Sequence, residues 1–181
     1  MLQLEREATR AGVPRVLLTR RPAPASPSAR VPSPVRLSPV ASAVAARHAG
    51  SVVLLDVWAT WCTNCVEGLQ DLARLQRELG PRGLRVVAIN VDQGLDSAAV
   101  RAWLARHAID LAFVLDPSGA SAAMLPQPGI PQSVVLDHRG EVRDFRMGHS
   151  PPGSGSSWLD QLARQTLDSA LARPHPSRSS V

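Results

Sequence analysis

The sequence predicts an α/β sandwich around a mixed sheet, and three observations carry that expectation. Val52-Val53-Leu54-Leu55-Asp56-Val57-Trp58 is a near-continuous apolar run with β-branched residues, the pattern of a strand buried on both faces. Segments of helical and strand periodicity then alternate as β-α-β-α as far as His107, which is the arrangement that builds a parallel sheet. Two short strands around a tight turn follow, so antiparallel pairing is added to the parallel start.

After the buried strand, Cys62 to Leu79 places Val66, Leu69, Leu72, Ala73, Leu75 and Leu79 at three-to-four-residue spacing and stops at Gly80-Pro81, as an amphipathic helix does. Leu84 to Val91 repeats the buried-strand pattern. Asp96 to His107 reads as a helix with Asp96 or Ser97 as its cap and Val100, Trp103 and Leu104 on one face. Phe113-Val114-Leu115 gives a short strand that Pro117 and Gly119 break, and a brief helix runs to Met124 ahead of a Pro126-Gln127-Pro128-Gly129 turn. Gln132 to Leu136 and Glu141 to Met147 flank Asp137-His138-Arg139-Gly140 as a hairpin. Beyond a Pro151-to-Ser156 linker, Leu159, Leu162, Ala163, Thr166, Leu167, Ala170 and Leu171 form the apolar stripe of a closing helix.

Composition narrows the functional classes. With 181 residues, 44% of them apolar, the chain has material for one domain and its core. Its 2 cysteines cannot build a multi-disulfide scaffold or a four-thiolate zinc site. No apolar run approaches the roughly 18 residues of a membrane span, and an aromatic content of 3% is too small for stacking successive nucleic-acid bases. Every one of the 20 basic residues is Arg, and residues 1–50 hold 8 of them against Glu5 and Glu7 alone. The net positive charge therefore sits in a Pro- and Ser-rich segment that offers little apolar surface to offset ordering entropy. Residues 1–32 are read as a solvated segment, 33–172 as the domain and 173–181 as a tail. The Arg-rich composition from Arg10 to Arg36 also fits an organelle transit segment, a reading that Glu5 and Glu7 oppose, and no apolar stretch is long enough for a secretory signal.

The chemistry concentrates at Cys62-Thr63-Asn64-Cys65, where a buried strand ends and a helix begins. Unpaired amides and the macrodipole at a helix N-terminus stabilise a thiolate, which makes Cys62 the attacking nucleophile. Cys65 lies one turn further in, close enough to displace a mixed disulfide and farther from solvent, which makes it the resolving thiol.

Val57-Trp58-Ala59-Thr60-Trp61-Cys62 with Cys65 resembles the active-site sequence of thioredoxin-fold oxidoreductases, and the Trp-Ala-Thr-Trp wording is most similar to the TlpA/ResA branch. Val35 to Ser38 resembles that branch's first strand, Asp92 with the following helix its central insertion, and Gly129-Ile130-Pro131 its cis-proline loop. The resemblance implies a thioredoxin-like three-layer α/β/α sandwich, a cis Pro131 facing the dithiol, and Ile130 offering backbone hydrogen bonds to an extended substrate. It further implies protein disulfides as substrates, an electron-donating membrane thiol reductase as partner, no cofactor, and work outside the cytoplasm such as reducing apocytochrome c. No export signal accompanies it, so cytoplasmic and organellar placements stay open. A monomer is expected.

Asp56 stands inside the apolar strand, where an unpaired carboxylate costs several kcal/mol, of order, unless it is neutral, paired or hydrated. A raised pKa follows. By resemblance it matches the buried acid of thioredoxins and implies a general base, through water, for the Cys65 proton; the alternative is a structural aspartate at the strand end. Thioredoxins place a lysine near that acid, and this chain has none. Trp58 is read as core packing, Trp61 as a shield for the thiolate and a substrate contact, and His138 and His149 as solvated. Two other functions are carried alongside: a copper- or zinc-binding protein, in which histidines would complete a site on the dithiol, and a catalytically silent module that binds peptides around Pro131.

Overall fold

The computed structural model describes residues 35–149 and 158–171. The two terminal segments read as tails, 1–32 and 173–181, and the Pro151-to-Ser156 linker lie outside the described residues. The elements are α1 (Pro39–Arg47), β1 (Val52–Trp58), α2 (Cys65–Leu79), β2 (Leu84–Asn90), α3 (Ser97–Arg106), β3 (Ala112–Leu115), β4 (Gln132–Leu136), β5 (Val142–Met147) and α4 (Trp158–Leu171), with short 3-10 turns at Gly80–Arg82 and Ala120–Ala123.

The strands form one five-stranded sheet in the order β3-β2-β1-β4-β5. β1 pairs parallel with β2 and β2 parallel with β3, whereas β4 runs antiparallel to β1 and β5 antiparallel to β4. This is the mixed sheet expected from the sequence. β1 lies at its centre with all seven residues buried, because its side chains alternate between two apolar layers. Val52, Leu54 and Trp58 join the layer with α2, α3 and α4, in which Leu69, Leu72, Leu79, Val100, Leu104 and Leu167 meet. Val53, Leu55 and Val57 join the opposite layer, where Ala41, Val44, Met124 and Leu125 cover them. Each such fully buried aliphatic side chain contributes about 2 kcal/mol. Trp58 is wholly buried and packs against Trp103, ring centroids 4.8 Å apart. It is core, as expected.

One expectation at the domain's start needs correction. Residues 35–38 form no strand, and one of their ties is the Arg36 N–H, which donates to the Met124 carbonyl at 3.1 Å. The small-residue run that follows is a helix, α1. Ser38 caps it by accepting from the Ala41 N–H at 3.0 Å, Pro39 presets the backbone of the first turn, and Ala41 and Val44 are buried one turn apart. Its apolar stripe is made of alanines and two valines, too weak a periodicity to separate from a solvated segment.

Elsewhere the differences are at element ends. α2 begins at Cys65 and not at Cys62, because two tight turns intervene: the Cys62 N–H donates to the Ala59 carbonyl and the Cys65 N–H to the Cys62 carbonyl. Asp96 caps α3, its side chain accepting from the Ala99 N–H at 2.8 Å. In the hairpin turn Asp137 Oδ1 accepts from the N–H groups of Arg139 and Glu141, with Gly140 at φ +78°.

Candidate active site

The end of β1 leads into the cysteine turn. Cys62 and Cys65 are joined as a disulfide, S–S 2.05 Å. Cys65 is the first residue of α2 and fully buried, while Cys62, in the turn ahead of the helix, retains 8% exposure. Of the two residues, only Cys62 has any surface open to another protein. Asn64, the N-cap of α2, makes no side-chain capping bond. The positive end of the helix is therefore not neutralised by a cap side chain, and it lies where a Cys62 thiolate would form. Glu67 in the first turn acts weakly against that thiolate.

The turn is clamped from β2. Asp92 is buried and accepts at Oδ2 from the Thr60 N–H at 2.8 Å and from the Asn90 side-chain amide at 2.7 Å, and at Oδ1 from the Thr60 hydroxyl at 3.0 Å. The Val91 N–H donates to the Trp58 carbonyl at 2.9 Å. These bonds fix the backbone that delivers Cys62. Asp92→Ala is expected to lower stability by about 2–4 kcal/mol, because charge-assisted bonds are lost and the buried Asn90 amide loses its acceptor. A urea midpoint displaced by less than about 0.5 kcal/mol equivalent would contradict this role.

Asp56 occupies the position in β1 between Leu54 and Trp58, so its side chain faces the layer that holds Cys65 and Leu69. It is fully buried. Opposite it on β4 is Ser133, whose hydroxyl donates to Asp56 Oδ1 at 2.6 Å. His149 Nε2 stands 3.8 Å from the other oxygen, Oδ2. Burial pushes the Asp56 carboxyl above the usual carboxylate range, and His149 and the Ser133 hydroxyl pull it partly back. The raised pKa expected from the sequence is present.

The loop before β4 reaches the same end of the sheet, since Gln132 pairs with Val57. The Ile130–Pro131 peptide is cis, as the resemblance implied. The loop is tied down by Gln132, whose side-chain amide donates to the Gly129 and Ala122 carbonyls at 2.6 and 2.8 Å, and by the Gly148 N–H, which donates to the Pro131 carbonyl at 2.8 Å. Trp61, beside Cys62, is 69% exposed, and Met147, whose methyl group lies against Gly129, is 40% exposed. They are the large exposed apolar side chains among the described residues.

Two of the histidine expectations fail. His149 is almost buried, 9% exposed, because Gly148 at φ +78° turns the chain inward after β5. His138 is half-buried, with its Nδ1 covered and its carbonyl accepting from the Gly50 N–H. From the sequence alone Ser133 and Asp92 have no place in the site and His149 reads as solvated, since each meets its partner across at least 30 residues of chain. A metal site on the dithiol would need further ligands beside it, and among the described residues no group of three or more His, Cys, Asp or Glu is placed to hold an ion. No helix among them is long and apolar enough to cross a membrane.

Comparison with known proteins agrees with this geometry. The model of the Redoxin family matches residues 28–162. The chain is 31% identical over 100 residues to the thioredoxin-like protein YneN of Bacillus subtilis, covering 55% of this chain and 58% of that protein. It is 29% identical over 114 residues to the thiol:disulfide interchange protein DsbE of Allochromatium vinosum, covering 62% and 59%. It thus spans less than two thirds of the length of either relative. Among solved structures, a Chlorobium tepidum protein assigned as a DsbE thiol:disulfide interchange protein superposes with a TM-score of 0.57 at 27% identity, over 70% of this chain and 84% of that one.

Proposed function

Because the chain belongs to the Redoxin family and has the thioredoxin fold, we propose that it is a thiol:disulfide oxidoreductase that reduces protein disulfides through Cys62 and Cys65. The single observation that carries this reading is the bonded pair itself, Cys62 keeping 8% exposure ahead of the helix and Cys65 fully buried in the first turn of α2. In the reduced protein the Cys62 thiolate attacks one sulfur of a substrate disulfide, forming a mixed disulfide and releasing one substrate thiolate. Cys65 then gives up its proton, attacks Cys62 Sγ, restores the internal disulfide and releases the second substrate thiolate. Two electrons pass to the substrate, and the two thiolates take their protons from solvent. Asp56, on the Cys65 side of β1, is the base for the Cys65 proton. Trp61, Ile130 and Pro131 bind the substrate segment, with Met147 extending the apolar rim. A dithiol donor, such as a membrane thiol reductase, regenerates the pair. The named interchange proteins among its relatives support disulfide-bearing protein substrates.

The reading is tested on the reduced chain by following iodoacetamide alkylation of Cys62 against pH, with insulin reduction by dithiothreitol measured in parallel. Half-maximal alkylation is expected at least about one pH unit below the 8.5 of free cysteine, together with accelerated insulin precipitation. Alkylation no faster than free cysteine, with no acceleration, would remove the proposal.

A further inference from the structure

Asp56 has a problem that the oxidoreductase reading leaves open: a fully buried carboxyl can exchange its proton with solvent only through a neighbouring group. Its Oδ1 is occupied by Ser133, and its Oδ2 has no hydrogen-bond partner among the described residues. His149 Nε2 is also buried, also without a partner among them, and 3.8 Å from that same oxygen. Two unsatisfied polar atoms facing each other in an apolar layer are costly unless a proton or a water joins them.

The surroundings are arranged to admit the ring. A Cβ built on Gly68 would overlap His149 at Cδ2, Cγ and Nδ1, so only glycine at this place on α2 leaves room for the imidazole. Gly68 is three residues beyond Cys65, on the same side of the helix. From the other direction Gly148 bends the chain inward and is pinned by its bond to Pro131. His149 in turn lines a cavity of about 170 Å³, large enough for several waters, whose rim includes the exposed Asp71 and Arg146.

We propose that His149 is the proton outlet of Asp56, relaying between the buried carboxylate and solvent in this cavity. The inference rests on the proposed function for its catalytic meaning. In the resolving step the proton leaves Cys65 Sγ for Asp56 Oδ2 through water, passes to His149 Nε2 directly or through a further water, and is released on the cavity side. The imidazole suits the task because it exchanges a proton near neutral pH and has two ring nitrogens. His149 touches neither substrate nor the reacting sulfurs in this account and is a positioning and relay residue. Ser133 from β4 is bonded to Asp56, the two cysteines share its apolar layer, and the charged groups that line the cavity with His149 are Asp71 and Arg74 from α2 and Arg146 from β5. Arg74 and Arg146 are cations that His149→Gln leaves in place, so the variant isolates the imidazole.

The test has two arms on the full chain. The first follows the Asp56 carboxyl by carbon-13 NMR in the oxidised protein, where no turnover is needed: His149→Gln is expected to move its titration to higher pH, since a neighbouring positive charge is lost. Gly68→Ala, which displaces the ring without changing it, is expected to move it the same way and covers the case in which His149→Gln fails to fold. The second measures release of substrate thiol in a single turnover against pH. His149→Gln is expected to slow the resolving step about tenfold near pH 6–7 and to converge on the unmodified protein at alkaline pH, while Cys62 alkylation stays unchanged. An Asp56 titration unmoved in both variants, or a rate lowered equally at every pH, overturns the relay. Loss of the oxidoreductase reading would instead appear as absent insulin reduction in the unmodified chain, with the first arm still deciding the Asp56–His149 pair.

Discussion

Cys62→Ser is expected to abolish disulfide reduction, a loss of about 10³-fold or more, while Cys65→Ser leaves the first attack intact and accumulates a covalent complex with the substrate. The asymmetry follows from placement. Cys62 keeps 8% exposure in the turn ahead of α2, and Cys65 is fully buried in the first turn of that helix. A serine hydroxyl at position 62 is a far weaker nucleophile than a thiolate and gains little from the helix terminus at neutral pH. A serine at position 65 cannot displace a mixed disulfide, so the intermediate that normally decays persists. Non-reducing mass spectrometry after mixing each reduced variant with disulfide-bonded insulin and quenching free thiols by alkylation reads both outcomes: an adduct on Cys65→Ser and none on Cys62→Ser. If Cys62→Ser formed the adduct, the roles of the two sulfurs would be exchanged. If neither variant formed one while the unmodified chain reduced insulin, the mixed-disulfide route would be wrong.

Much of this was legible in the chain because strong local signals coincide there. The β1 run, the α2 stripe ending at Gly80-Pro81 and the cysteine pair between them need no tertiary partner to be recognised. The hairpin was equally readable from Asp137 to Gly140, whose side-chain and glycine geometry is local. What escaped depends on distance. α1 carries its burial on Ala41 and Val44, side chains too small to mark a face. Asp92 looks like any loop acid until β2 brings it against Thr60, 32 residues earlier. His149, flanked by glycine and serine after a hairpin, reads as a solvated residue, and the inward turn at Gly148 and the gap at Gly68 that admit it are visible only in the fold. Asp56 was conspicuous for the opposite reason: a carboxylate in an apolar strand conflicts with its surroundings, and such conflicts mark functional positions.

That conflict yields the second large effect. Asp56→Asn is expected to stabilise the fold at neutral pH and to slow the resolving step about 10²-fold. The sign of the stability change follows from the direction of the titration. Burial holds the folded-state carboxyl above its ordinary value of 3.8, so the folded protein binds this proton more tightly than the unfolded chain does. The stabilisation from protonated Asp56 is complete below the unfolded value and is lost as pH rises through the folded one. At pH 7 the unfolded chain has already released the proton, and the native state carries a cost that asparagine does not incur. An amide still bonds Ser133 and can face His149 Nε2, so the gain is expected at about 1–3 kcal/mol at pH 7 and should vanish near pH 3. Urea denaturation at both pH values, with the slope m unchanged, measures it. A variant less stable than the original at pH 7 would mean that pairing with His149 outweighs desolvation, and an unchanged resolving rate would remove Asp56 from the chemistry. Gain of stability with loss of rate is the signature of a group kept in an unfavourable place for the proton it moves.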